Sequence, residues 1–366
     1  MKMWTLWTPD IKVWTLSLVI ALGWMPLAAT AAEAGHHGRE RVVTVMTRNV
    51  YHGVDAEFGA LIADPAHLSA RVTDVYLGYH KRIFSARAQA LAEEIAATQP
   101  DLIGVQEAVL IRVDPIPDGP GTPAQVVVLD YLQILLDALA ARGLPYEPVA
   151  ISEGFDPEFP SSLGFDVRHT DREIILARKD RDPALKLSNP RTGHFTVNCA
   201  LPLGPGFVTI QRGWVSVDVK VRGREFRFIS THLDGDCLPI PPLGGSAIQV
   251  AQAGELLAGP ASTPLPVVLV GDLNSSSAQP TPSAYATMSA AGFADAWVLG
   301  GTGDGFTCCQ DDALANPLPQ FAGRIDLVLF RGDLQVSEVQ VTGGTRADSG
   351  VWASDHAGVV ASFEIH

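Results

Sequence analysis

Asp272 and Asn274 stand two residues apart at the end of an apolar run, Val267-Val-Leu-Val270, that reads as a buried strand. Residues i and i+2 of an extended chain point the same way, so a carboxylate and a carboxamide would leave the strand side by side where a cleft opens. The plainer alternative is an Asx turn. The same layout recurs along the chain. Asn49 closes the strand-like stretch 41–50, Glu107 closes 101–107 and His232 closes 224–232; Asp326 opens the apolar run to Phe330, and Asp355-His356 stand just before the last strand. A carboxylate ending a buried strand is costly unless it is paired, solvated or bound to a cation. Singly, Glu107 reads as an exposed cap and His232 as a structural histidine; together they describe a set of polar groups gathered at strand ends.

The elements that must position these residues are legible in outline. Ile83, Ala86, Leu91 and Ile95 recur at helical spacing over 83–98, with Pro100 just beyond. The strand before this helix and the one after it give a β-α-β opening that delivers Asn49 and Glu107 to one sheet edge if the strands are neighbours. A second amphipathic helix spans 131–141 and closes on Arg142-Gly143. Strand candidates follow at 171–178, 213–221 and 224–232, the last two forming a hairpin about Gly223. Alternation of Trp214, Val217 and Val219 with polar neighbours makes this part more antiparallel. A helix over 246–258 precedes the strand that ends in Asp272. Between Gly53 and Arg82 runs a long, partly helical excursion that would shape a pocket; His52 and Asp55 at its start could line a cleft, the plainer alternative being solvated loop residues.

The chain has 366 residues and a formal net charge of −14. That balance opposes non-specific adhesion to polyanions, which needs clustered Lys and Arg. Lys2 and Lys12 precede an uncharged run ending in Pro26 and Ala28-Ala-Thr-Ala-Ala32, the layout of a cleaved export signal over about residues 1–34. An uncleaved membrane anchor is the rival reading. Residues 41–366 then form one large domain, with short Pro- and Gly-rich loops and no repeat. Cys199, Cys237, Cys308 and Cys309 suit an oxidising compartment and allow three pairings. Because Cys308 and Cys309 are adjacent, the expectation is that each bridges separately to one of the other two. Export implies a secreted or periplasmic protein.

Six short motifs, Thr47-Arg-Asn-Val50, Gln106-Glu107, Thr231-His-Leu233, Gly271-Asp-Leu-Asn274, Arg324-Ile-Asp326 and Ser354-Asp-His356, occur in an order that resembles the endonuclease/exonuclease/phosphatase superfamily. Each is weak alone; six in order are not. The resemblance covers residues 41–366 and implies an α/β fold, a four-layer α/β/β/α sandwich of two packed mixed sheets with outer helices. It implies a Mg²⁺-dependent phosphoric ester hydrolase, with Mn²⁺ as the alternative ion, in which water attacks phosphorus directly. By the resemblance Glu107, helped by Asn49, holds the cation, and Asp355 reaches a metal as well. Asp272 and Asn274 position the attacking water and a phosphate oxygen, Asp272 being a candidate base. His356 lies against the phosphate, oriented by Asp326. His232 matches the deoxyribonuclease and sphingomyelinase branch as a general acid near the leaving group, with Glu173 as its supporting carboxylate.

The substrate implied is a phosphoester: DNA, or a phospholipid head group for which the apolar loop 237–245 could rest on a membrane. Phosphomonoesters are a further alternative. No obligate protein partner is indicated, and a monomer is expected. A binding module that kept the fold and lost the chemistry would lack one of the acids or histidines, and all are present. There is neither a Gly-rich dinucleotide loop nor a Gly-x-Ser-x-Gly elbow, which leaves dehydrogenase and serine hydrolase readings without support.

Overall fold

The computed structural model describes residues 42–203, 206–235, 237, 245–346, 350 and 352–366. The stretch read as an export signal, and most of the apolar loop 237–245, lie outside the described residues.

The chain opens with β1 (Val42–Asn49), then α1 (Asp55–Ala63), α2 (Leu68–Lys81) and α3 (Phe84–Thr98). Next come β2 (Leu102–Gln106), β3 (Leu110–Asp114), β4 (Val126–Asp130) and α4 (Tyr131–Ala141), whose first turn is capped by Asp130 accepting from the Gln133 amide. Five strands follow: β5 (Tyr146–Glu153), β6 (Glu158–Pro160), β7 (Asp166–Thr170), β8 (Arg172–Arg178) and β9 (Leu185–His194). Two hairpins come after them, β10 (Cys199–Leu203) with β11 (Gly206–Ile210), and β12 (Gly213–Val221) with β13 (Arg224–His232). The rest is α5 (Gly245–Ala258), β14 (Val267–Asp272), α6 (Ala284–Ala290), β15 (Ala294–Asp295), α7 (Ala296–Gly300), β16 (Asp326–Arg331), β17 (Leu334–Thr342) and β18 (Gly358–Ile365).

Two six-stranded sheets carry the fold, in the orders β17-β18-β1-β2-β8-β5 and β15-β16-β14-β13-β12-β9. Both are mixed. β1 and β2 pair in parallel across α3, β13 and β14 in parallel across α5, and their other neighbours are antiparallel. The apolar runs are explained by burial on both faces. Val268 and Val270 of β14 meet Val43 and Val45 of β1 and Phe226 and Phe228 of β13 in the core between the sheets. Val267 and Leu269 point the other way, to Leu256 of α5 and Met288 of α6. On the far side, Met46, Ile103 and Val105 pack under Leu91 and Ile95 of α3 and Leu135 of α4. That gives helices, sheet, sheet and helices, the four layers expected. The sheets touch closely near the site: a Cβ on Gly104 would stand 2.5 Å from Ser230 Oγ and 2.6 Å from Val270, so only glycine fits there.

Two smaller sheets are additional to the expected pair: β4-β3-β7-β6, and the hairpin β10-β11. The cysteine expectation is corrected. Cys199 bonds Cys237, and Cys308 bonds its neighbour Cys309. The reason for the first is tertiary: β10 folds against the segment after β13, where the Cys199 amide donates to Asp234 Oδ2, and this brings the two Cα atoms to 5.8 Å.

Candidate active site

Sheet register builds the centre of the site. His232 pairs with Asp272 across β13 and β14, and Asp272 with Asp326 across β14 and β16, so three ionisable side chains stand in one row over three adjacent strands. In the facing sheet Asn49 pairs with Gln106, which sets Glu107 one residue beyond. Gln106 Nε2 donates to Ser230 Oγ at 3.0 Å and so ties the two rows together. The backbone turns sharply here: Tyr51 (φ 59°), Glu107 (φ 61°) and Asn274 (φ 47°) are all left-handed non-glycine residues. Such conformations cost energy and gather at functional sites.

His356 reaches the row from the segment before β18. Its Nδ1 lies 2.8 Å from Asp326 Oδ2 and 3.7 Å from Asp272 Oδ2. Burial opposes its charge, but Asp326, Asp355 and Asp272 outweigh that and hold the imidazole well above its ordinary pKa. Asp272 is pushed up to about 7, by burial first and then by Asp326, while His356 and hydrogen bonds from Asn274 and Asn49 oppose the rise. The backbone of His356 is fixed by Arg48, whose Nη1 donates to its carbonyl at 2.6 Å while Nε and Nη2 fork onto Glu94. Ser354 Oγ donates to the Asn49 carbonyl at 2.9 Å, and the buried Arg87 holds the carbonyls of Val50, Tyr51 and Ala353.

Glu107 and Asp355 supply oxygen donors on the other side. The two carboxylate oxygens of Glu107 accept from Asn49 Nδ2 at 2.9 Å and from the His52 amide at 2.7 Å. Asp355 is raised to about 7, with burial the main cause and the charges of Glu107 and Asp55 adding to it. Two buried carboxylates offering oxygen donors fit a hard divalent cation. Ligand atoms of Asp272, Asp326 and His356 also lie within 4.8 Å of one another, as do those of Asp171, Glu173 and His232. Asn49 stands beside Glu107, as the resemblance places it. Its Oδ1 accepts from the Tyr51 amide, and its Nδ2 bridges Glu107 and Asp272 (3.1 Å), so it orients both carboxylates.

His232 is buried and lies 3.6 Å from Asp272 Oδ2, with Nε2 3.2 Å from the Asn274 amide nitrogen. Glu173 Oε1 is 3.8 Å from His232 Nδ1, an ion-pair distance but not a hydrogen bond. The nearer partner of Nδ1 is Arg212 Nη1 at 3.0 Å, which also holds Asp171 Oδ2 at 3.0 Å. Arginine only donates, so Nδ1 is the acceptor in this contact, and Nε2 faces the Asn274 Nδ2 and Asp272 Oδ2. Burial, then Arg212, His356 and His52, hold His232 well below its ordinary pKa.

The structure thus brings Asn49, Glu107, His232, Asp272, Asn274, Asp326, Asp355 and His356 to one end of the two sheets, with Glu173 behind His232. Asn274 does so differently from the extended-strand reading. The strand stops at Asp272, and the Asn274 amide donates back to Asp272 Oδ1 at 2.9 Å. The Asx turn and the site are the same feature. Of the two readings of His52, the structure favours the cleft over simple solvation: its Nε2 is 2.9 Å from Asp55 Oδ1 and 3.8 Å from Glu107 Oε2. Sequence reading missed Arg212, Asp171, Arg48 and Arg87. Arg48 stood inside a quoted motif, while Arg212 lies before β12 in a loop with no local signal.

The geometry agrees with the comparisons. No curated protein sequence matches the chain. Its fold is similar to that of an endonuclease/exonuclease/phosphatase family protein from Bacteroides thetaiotaomicron, with a TM-score of 0.56 and 16% identity over 90% of this chain and 99% of that one. A family protein from Leptotrichia buccalis C-1013-b gives 0.54 and 17% over 88% and 100%. D. rerio TDP2, in a complex with single-strand DNA product, gives 0.50 and 19% over 88% and 99%. At these identities the likeness shows the fold. The family model matches residues 49–356, from the amide that ends β1 to the histidine that precedes β18, and the chain therefore belongs to the Endonuclease/Exonuclease/phosphatase family.

Proposed function

We propose that the chain is a divalent-metal-dependent phosphodiesterase, nuclease-like in its chemistry, that directs water onto phosphorus without a covalent enzyme intermediate. The observation that carries this reading is the row His232–Asp272–Asp326 with His356 set 2.8 Å from Asp326. Glu107, helped by Asn49, and Asp355 would hold the cation, for which Mg²⁺ is the expected ion and Mn²⁺ the alternative. Bound there, the ion neutralises the phosphate and stabilises charge on the transition state and leaving oxygen.

The chain's own groups do the rest. Asp272, steadied by Asn49 Nδ2 and the Asn274 amide, orients the attacking water and accepts its proton. His356 donates to a phosphate oxygen from Nε2 while Asp326 fixes its ring through Nδ1. His232, beside Asp272 and Asn274, serves the leaving oxygen; burial and Arg212 against Nδ1 disfavour its imidazolium form and so make it a weaker proton source. The DNA product in the D. rerio TDP2 complex supports a phosphodiester as the substrate class. The signal-like first 34 residues support a secreted or periplasmic location.

The test is hydrolysis of bis-p-nitrophenyl phosphate in ¹⁸O-water with Mg²⁺ and with EDTA. Metal-dependent turnover with ¹⁸O in the released p-nitrophenyl phosphate is the expected result. Turnover unaffected by EDTA, or label in the p-nitrophenol, overturns the reading.

A further inference from the structure

Beside the reacting groups lies a cavity of about 230 Å³. Its walls come from two regions the strand-end cluster does not use. The excursion after β1 contributes Leu61 and Val75, the hairpin β10-β11 contributes Leu201 and Val208, and Phe155 and Val167 close the side. Its polar residues are His52, Asp55, His169, Asp171 and Arg212. Two of these touch the reacting groups directly: Arg212 is 3.0 Å from His232 Nδ1, and the His52 amide is 2.7 Å from Glu107. The cavity is therefore apolar within and polar where it meets the site. Aromatic edges line the approach, with Phe58 and His169 ring centroids 5.3 Å apart and Phe155 and His169 5.6 Å apart.

We propose that this cavity binds an apolar ester arm of the substrate, a single aromatic ring or short hydrocarbon chain attached to the phosphate, so that the enzyme selects amphiphilic phosphodiesters. The volume fits one such group: a cavity of roughly 150 Å³ lined by Leu, Ile and Phe already accepts benzene. It is too small for the paired long chains of a phosphoglyceride. A nucleobase would lose water from its polar edges against these walls without gaining partners. The acidic balance of the chain, −14, likewise favours a small diester over a long polyanion. This inference rests on the phosphodiesterase reading, and the experiment separates the two.

Phenylphosphonate and hexylphosphonate are compared with methylphosphonate, in Mg²⁺, as inhibitors of bis-p-nitrophenyl phosphate hydrolysis and by the shift each produces in thermal unfolding. Inhibition about tenfold or more tighter for the phenyl and hexyl compounds than for methyl is expected from burial of the arm. Val208→Trp, which fills the cavity from β11, should bring that ratio close to one; Ile62→Trp does the same from α1 should the first variant not fold. A ratio near one in the unaltered protein overturns the proposal, and so does a ratio that survives both tryptophans. An arm-dependent thermal shift in a protein that hydrolyses nothing would keep the cavity and remove the phosphodiesterase; hydrolysis with no dependence on the arm would do the reverse.

Discussion

The two walls of the site are built on opposite principles. The strand-end wall is polar and almost fully buried, with Asn49 and Asp326 at 0% exposure and His232 at 2%. Its groups are held by register: moving any of β13, β14 or β16 by one residue would turn its side chain to the other face. The cavity wall is apolar, with Leu61, Val75, Val167 and Leu201 buried and Phe58, Phe155 and Val208 half-buried, and is set largely on α1, α2 and a two-stranded hairpin. Side-chain links anchor it: the Arg82–Glu57 pair, the Arg71–Asp64 pair and the Cys199–Cys237 bond. The comparison suggests a division of labour, with the reaction belonging to the sheets and selection of the ester arm to segments that can change without disturbing them.

That division can be broken by substitutions ranked by their effect on turnover. His356→Ala and Asp272→Ala should each lower kcat/KM on bis-p-nitrophenyl phosphate by about 10³-fold or more. Circular dichroism should show the fold intact, since both side chains sit at strand ends rather than inside the packed layers. If either variant keeps most of the activity, the strand-end wall is not where the reaction occurs.

Glu107→Gln should come next. Loss of one carboxylate ligand is expected to raise the Mg²⁺ needed for half-maximal activity by about 100-fold, a change read from a metal titration after EDTA treatment. A wild-type metal titration for this variant would remove Glu107 from the cation site.

Arg212→Gln tests the seam between the walls. It leaves Asp171 buried without its cation, for an expected loss of about 3 kcal/mol in urea unfolding. Turnover should fall less than for His356→Ala, and the phenyl-to-methyl inhibition ratio should change as well. An effect on turnover alone would make Arg212 part of the strand-end wall only.

The smallest effect on turnover is expected from Cys199→Ser with Cys237→Ser. Opening a link between residues 38 apart should cost about 2–4 kcal/mol of stability. The kcat on bis-p-nitrophenyl phosphate below the melting range should stay within about threefold of the unaltered protein, because the hairpin lines the arm cavity and touches no reacting group. A collapse of activity in the folded double variant would show that the two walls are not separable.

Much of the site was legible because a buried strand leaves a simple trace. Val267 to Val270 must be apolar on both faces, so the first polar residues after it mark the edge of the core. The helices 84–98 and 131–141 were equally readable, since their apolar residues recur every three or four positions against a sheet. Asn274 shows the limit: its spacing from Asp272 suggested an extended pair, and its left-handed backbone made an Asx turn instead. The cysteines show another. Adjacency of Cys308 and Cys309 said nothing about where β10 would fold, and only that packing brought Cys199 to Cys237.

By itself, then, the sequence determined which residues end the core strands, and with them the row of acids, amides and histidines, because burial and strand periodicity are local properties of the chain. Tertiary structure alone decided that Arg212 rather than Glu173 meets His232 Nδ1, that Asn49 bridges Glu107 and Asp272, and that two remote apolar segments enclose a cavity beside them. Those contacts join residues tens to hundreds of positions apart, and no local pattern records a distance that exists only once the sheets have packed.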